Sequence, residues 1–512
     1  ARGTPRKGMR RIMIGTSGTK KIYGIAAAIL LSVLSLMFVP YPAPAGEPEV
    51  SADLDLDRAW TELARRYRNP YVSGGIDDAP SMGTLGSWWD VLGDERLTQL
   101  IWSSLHNNRD LQAARARVAE ARAALGISRA ASLPWLDNAD SWTRTKTPEN
   151  STGDGVPFEL TRLGLDASWE IDVFGRIDAG TRAAAAALEA EHASLHAAWV
   201  TLSSEVALNY LSLRTLQERL DIARRNLALQ EDTLGMLRSL YDAGLRDALA
   251  LNQAQYTADQ TRAGIPPIQA SIEGTMNTLA ILVGSVPGSL EGILSAPGPL
   301  PEPSAVNLVG IPADAVRQRP DIRAAERALV AQVFRKKSAE RELLPRLTLV
   351  GSIGLESLSA GNLFSGDSFG FSFGPRITLP IFNGKSIRKN IQVQAAREEQ
   401  YLAAYEQAVL GAVAEVRNAL AANTQELERN NSLKSGIEAA QSALEVARDK
   451  YRNGLTDFSN VIGAQQALLS LEDQYTISRG QMTSNIVRVF KALGGGWAPL
   501  AGEDAGDYST NP

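Results

Sequence analysis

His192 and His196 stand four residues apart, the interval that puts two imidazoles on one helical face where a divalent metal can take both. No Glu follows His192, so the H-E-x-x-H pattern of zinc hydrolases is absent, and the Ala- and Glu-dense surroundings read equally as a solvated helix face. His106 stands alone and reads as structural. Glu170 and Asp172 come nearest to a paired-carboxylate acid–base site, but no Ser and His stand where nucleophilic chemistry needs them. Gly494, Gly495 and Gly496 with Trp497 suit a helix stop with an aromatic packing anchor better than a ligand loop. A G-x-x-x-x-G-K phosphate cradle for ATP is absent as well. The expectation is no enzyme, no cofactor and no resident metal.

With 52 basic and 57 acidic residues among 512, the chain has a formal net charge of -5, and its Lys and Arg are scattered. No basic stripe tracks a phosphate backbone, which argues against nucleic acid as a partner. The chain has no cysteine, which excludes disulfides, a thiol nucleophile, thiolate metal sites and lipid attached through an N-terminal Cys. Arg10, Arg11, Lys20 and Lys21 precede an apolar run from Ile22 to Val39, then Pro40, Pro42 and Ala43-Pro44-Ala45. That order predicts a signal peptide over residues 1–45, cut after Ala45, with Met9 or Met13 as the start; a retained single-span anchor is the alternative. After Val39 every apolar stretch meets a charge within about ten residues, so further membrane passage requires strands.

One layout occurs twice in the chain, near 210 residues apart. Asn108-Arg109-Asp110-Leu111 corresponds to Arg319-Pro320-Asp321-Ile322, Asp172-Val173-Phe174-Gly175-Arg176 to Ile381-Phe382-Asn383-Gly384-Lys385, Tyr241-Asp242-Ala243-Gly244-Leu245 to Tyr451-Arg452-Asn453-Gly454-Leu455, and Leu282-Val283-Gly284 to Leu493-Gly494-Gly495. Each copy, 96–296 and 312–497, predicts a short helix, a strand pair, a very long helix, a Gly break and a returning helix. A Pro-rich linker, 297–311, separates them. From Gly175 to Gly244 and from Gly384 to Gly454 the sequence is free of Pro and rich in strong helix formers, with apolar residues at intervals of three and four. At 1.5 Å per residue each run reaches on the order of 100 Å, a length for which a compact globule has no use. Gly244 and Gly454 fit helix C-caps that reverse the chain.

Between the helices a period of two takes over. Leu163, Leu165, Ala167, Trp169, Ile171 and Val173 alternate with Arg162, Gly164, Asp166, Ser168, Glu170 and Asp172; Phe369, Phe371 and Phe373 begin a second series that includes Arg376 on the polar side; Leu347, Leu349, Ile353 and Leu355 make a third. Trp135 to Thr145 alternates poorly and is assigned as a strand by its place in the repeat. Strands of this length fit a tilted membrane crossing, and open edges do not survive in hydrocarbon, so four strands per chain must close a barrel with those of other chains. Two chains are the minimum, and three give twelve strands. The reading then has Leu163, Leu165, Trp169, Ile171, Phe369, Phe371 and Phe373 facing lipid, and Arg162, Asp166, Glu170, Asp172 and Arg376 facing a watery lumen.

Trp88-Trp89, Trp169 to Arg176, Arg319 to Glu326, Pro380-Ile381-Phe382-Asn383-Gly384 and Ala492 to Trp497 together resemble the TolC-like outer-membrane efflux proteins, in particular the NodT-type branch, over about Ser87 to Trp497. The resemblance implies an α+β membrane protein, internally duplicated: a homotrimer whose twelve-stranded transmembrane β-barrel, four strands per chain, continues into a twelve-helix periplasmic α-barrel tunnel. It further implies a Gram-negative outer membrane, an N-terminal extension (46–95) packed outside the tunnel, a flexible tail (498–512), and as partners a periplasmic adaptor and an inner-membrane pump that supplies the energy. Tyr241, Gly244, Asp247, Tyr451, Gly454 and Asp457 are then the gate and adaptor-contact region, opened by untwisting helix pairs to pass small toxic compounds such as drugs or metals. Two departures stand out: there is no N-terminal Cys to lipidate, and Gly463 occupies a position that is acidic in several relatives. A protein-secretion duct of the same architecture and a soluble periplasmic coiled-coil adaptor are the rival readings.

Overall fold

A computed structural model describes residues 85–150, 155–302 and 318–497, apart from Arg246 and Asn383. The expected signal peptide (1–45), most of the 46–95 extension, most of the 297–311 linker and the 498–512 tail lie outside the described residues. Of the described residues, those within Ala130–Ala179 and Lys337–Asn390 form one unit and the rest form another.

Element order begins with a 3-10 turn, Trp88–Leu92, then α1 (Glu95–Asn107), α2 (Arg109–Ala130), β1 (Trp135–Asn138), β2 (Ser141–Thr145), β3 (Phe158–Ile171), α3 (Arg176–Asp242), α4 (Ala248–Leu282) and α5 (Glu291–Leu294). It resumes with α6 (Pro320–Arg341), β4 (Arg346–Ser357), β5 (Phe369–Thr378), α7 (Gly384–Arg452) and α8 (Phe458–Ala492). Lengths recur: 22 residues in both α2 and α6, 67 and 69 in α3 and α7, 35 in both α4 and α8. Among the described residues no helix is long and apolar enough to cross a membrane.

The sheet is an antiparallel meander with β3 bonded to β1 and β2 on one side and β4 on the other, and β5 outermost. β1 and β2 keep one register against β3, so they are a single strand interrupted at Ala139 and Asp140. There the Asp140 carboxylate accepts the Gly164 N–H, which accounts for the poor alternation of this stretch. Among the described residues, the outer edges of this strand and of β5 have no partner strand in the sheet.

In the helical unit, local chemistry sets the helix ends. Asp94 caps α1 by accepting from the N–H groups of Arg96 and Leu97, and Asn108 does the same for Asp110 and Leu111 at the start of α2. Four helices stop at a glycine in the left-handed region, Gly244, Gly284, Gly454 and Gly494. At each, the glycine N–H and the one after it reach back to carbonyls of the last turn, for example Leu245 to Leu240 at 2.8 Å and Leu455 to Lys450 at 2.8 Å, the Schellman arrangement. Helix α4 runs through Pro266 and Pro267, each of which removes an i to i−4 hydrogen bond.

Trp88, Trp89, Ile101, Trp199, Tyr210 and Phe490 anchor the main core, with Trp88 stacked on Phe490 at 5.7 Å. Gly495 and Gly496 run against Leu85 and Trp88, the Gly496 N–H donating to Leu85 O, so the glycine run stops a helix and admits an indole. Helix α6 packs on α3 through Val330 and Phe334 against Ala183 and Ala186, and on α7 through Ile322 against Val409. Of the expected stripes, that of α3 is buried at Val206, Tyr210 and Leu213, whereas in α7 Val409 and Val416 are buried and Leu402 is exposed. The Arg319 guanidinium is buried and binds Asp321, Glu415 and the Ala492 carbonyl, tying α6 to α7 and α8.

Candidate functional site

Residues paired across an antiparallel ladder point to the same side, so the register assigns every side chain to a face. One face carries the rows Asp166–Ser352–Ser372, Glu170–Thr348–Arg376 and Gly164–Gly354–Gly370. The other carries Leu163–Leu355–Phe369, Leu165–Ile353–Phe371 and Trp169–Leu349–Pro375. The apolar face is bare within its own unit, Phe371 and Phe373 each being 76% exposed and Ile353 50%. A contiguous greasy surface of this kind marks contact with lipid or another protein.

On the polar face Arg162 donates to Asp166, four residues further along the strand. Glu170 is held by Arg176 through both carboxylate oxygens, at 2.9 Å and 3.0 Å from Nη2. Asp172 requires a correction. β3 ends at Ile171, and the Asp172 carboxylate accepts the Asp178 N–H at 2.7 Å, so this side chain caps the first turn of α3 instead of joining the strand face. The two carboxylates are thereby committed to one arginine and one helix end, which leaves no free pair for acid–base work.

The two glycine turns meet in the helical unit. Leu237 and Ala250 from the first hairpin and Leu444, Tyr451, Phe458 and Val461 from the second form one cluster. Their equivalent residues diverge: Tyr241 is 43% exposed, while Tyr451 is buried with its ring 5.2 Å from Phe458. Asp247 caps α4 by accepting from Ala250 N, whereas the Asp457 side chain makes no cap bond to α8. Gly463 is exposed, and a Cβ there would meet open space. Phe458, which locks the second turn, had no signal beyond a lone aromatic after Asp457. The Tyr210 hydroxyl donates to Asp94 and accepts from the buried Arg214, a link hidden in a helix with many arginines. Burial, then the bond to Asp94, pushes the Tyr210 phenol up to about 12.

His196 stacks on Trp497 at 5.1 Å and lies 4.9 Å from Trp199, and burial, followed by His192 and Arg323, lowers its imidazole to about 4. Among the described residues no group of three His, Cys, Asp or Glu could hold a metal. Between pH 6.5 and about 4 the unfolded chain takes up a proton that folded His196 refuses, so stability present above pH 6.5 is lost on the way down. We expect His196→Phe, which keeps the stack, to lose less Tm than the wild type between pH 7 and pH 4 in detergent melts; parallel curves would rule this out.

One unit carries a sheet with one polar and one bare apolar face, and the other carries paired long helices closed by glycine turns, the pair of features that a comparison with known proteins can place. Residues 100–285 and 311–495 match the family described as outer membrane efflux protein, and the chain belongs to that TolC-like family. It is 30% identical over 485 residues to the toluene efflux pump outer membrane protein TtgF of Pseudomonas putida, covering 94% of this chain and 97% of that one. It is also 30% identical over 443 residues to nodulation protein T of Rhizobium leguminosarum bv. trifolii, covering 84% and 92%. The solved outer-membrane channel OprN superposes with a TM-score of 0.80 at 32% identity, covering 90% of this chain and 99% of that one. The first of these is named as an efflux-pump outer-membrane protein and the last as an outer-membrane channel.

Proposed function

We propose that the protein is the exit duct of a tripartite efflux pump, a homotrimer whose sheets close a twelve-stranded outer-membrane barrel and whose long helices form a twelve-helix periplasmic tunnel. The observation that carries this reading is the four-strand sheet, bare on its apolar face and unpaired at both outer edges, which only lipid and sister strands satisfy. In it Leu163, Leu165, Trp169, Ile171, Phe369, Phe371 and Phe373 face lipid, and Arg162, Asp166, Glu170 and Arg376 face the lumen. The duplicated halves, 96–296 and 312–497, give the protomer pseudo-twofold character.

Tyr241, Gly244, Asp247, Tyr451, Gly454 and Asp457 form the gate and adaptor-contact region, with a periplasmic adaptor and an inner-membrane pump as partners. The shared cluster under both turns supports this, since loosening it frees the two hairpins together. The cargo is small toxic compounds such as drugs or metals; the likeness to a protein named for toluene export agrees with small-molecule cargo. A deletion strain tests the reading. We expect the minimum inhibitory concentrations of solvents, drugs or metals to fall several-fold, with secreted polypeptides unchanged; loss of a secreted protein without sensitisation would point to a secretion duct.

A further inference from the structure

The charge of the sheet unit is divided between its two ends. The chain passes between the sheet and the long helices at the end marked by the ladder row Ile171–Leu347–Ile377, and the connections 146–157 and 358–368 close the other end. Those connections hold Lys146 against Glu149, Asp154 and Asp367. At the helix end the sign reverses: the stretch from Arg376 to Lys389 has four basic residues and no Asp or Glu.

Helix α7 makes that reversal unfavourable on its own. A helix N-terminus is the positive end of the macrodipole and favours anions. Its counterpart α3 conforms, with Asp178 in the first turn and the Asp172 carboxylate on the Asp178 N–H. In contrast, α7 has no acidic residue in its first turn and bears Lys385, Arg388 and Lys389. Spaced by three and four, these cations share one helix face, and all three are exposed. Just before them Ile381 is 88% and Phe382 97% exposed, more than any side chain of the bare sheet face. Uncovered hydrocarbon beside clustered cations is the composition that settles in a membrane interface, with the apolar groups at the acyl boundary and the cations on anionic headgroups. It also continues the apolar sheet face, whose last row lies at this end. Building on the barrel reading above, we propose that the start of α7 docks an anionic phospholipid of the periplasmic leaflet, its phosphate on Lys385 and Arg388 and its acyl chains against Ile381 and Phe382.

Native mass spectrometry of the full-length oligomer, released from detergent, reads assembly and bound lipid in one spectrum. The probes are phosphatidylglycerol and, as its zwitterionic twin, phosphatidylcholine with the same acyl chains, added in equal amounts. Phosphatidylglycerol adducts are expected to outnumber phosphatidylcholine adducts about 5-fold on the wild type. Lys385→Gln combined with Arg388→Gln is expected to bring that ratio close to one with the oligomer peak unchanged. Arg144→Gln with Lys146→Gln, at the other end of the sheet, is expected to keep the preference, and Phe382→Ser to lower both adducts alike. Equal adducts on an intact wild-type oligomer, or an undiminished preference in the Lys385 and Arg388 variant, would overturn the lipid site and leave the barrel standing. Loss of the oligomer in Phe382→Ser would overturn it too, because a sister subunit and not lipid then covers the phenyl ring. A wild type that stays monomeric refutes the barrel reading itself and the lipid site with it.

Discussion

Phe373→Arg is expected to abolish heat-modifiable oligomers in outer-membrane extracts, while Ser372→Arg, one residue away, leaves them at near wild-type abundance. Phe373 sits mid-strand in β5, pairs with Gly351 and is 76% exposed on the apolar face. In the proposed barrel an arginine at the midplane of the lipid face costs about 2–4 kcal/mol in each copy. Ser372 lies on the opposite face, its hydroxyl 2.8 Å from that of Ser352, where water solvates a guanidinium. Equal tolerance of the two arginines would refute the facial assignment and with it the barrel.

Gly284→Ala carries the second large effect. Gly284 ends α4 with φ 74°, and a Cβ there would lie 2.2 Å from the carbonyl oxygen of Asn107 and 2.7 Å from its carbon. Neither backbone can withdraw freely, since the adjacent Asn108 caps α2 while its Nδ2 donates to Leu282 O at 3.0 Å. Left-handed strain of about 1–2 kcal/mol adds to overpacking of about 1–3 kcal/mol. The expected result is a drop in Tm of several degrees and loss of most assembled oligomer, read by melting and by unheated gel mobility. Gly244→Ala is the contrast, because nothing lies within 4 Å of a Cβ there and only the strain remains. Equal effects at the two positions would show that the contact with Asn107 is immaterial.

These positions also show why parts of the molecule were legible in the sequence. A positive φ leaves a glycine behind, so Gly244 and Gly454 announced their turns. Alternation read the faces of β3, β4 and β5 because the pleat has a period of two. The same signal overran at Asp172 and Val173, which continue the alternation after the strand has ended, since a capping carboxylate looks no different from a lumen-facing one in a periodic pattern. At Asp140 the pattern failed the other way, a side chain replacing a backbone partner. The buried Arg214 and Gln230 were out of reach, because helices with many polar residues do not reveal which one turns inward. The divergence of Tyr241 from Tyr451 was hidden too, for repeats disclose equivalence and not its loss.

The interrupted first strand and the bare flank of β5 are separated by β3 and β4, so one copy's sheet does not seal itself. In the proposed barrel each newly made polypeptide depends on its siblings for completion, and a copy with a spoiled flank would withhold a seam from sound companions. In a cell carrying two alleles such a lesion acts dominantly, and gene dosage becomes a structural variable.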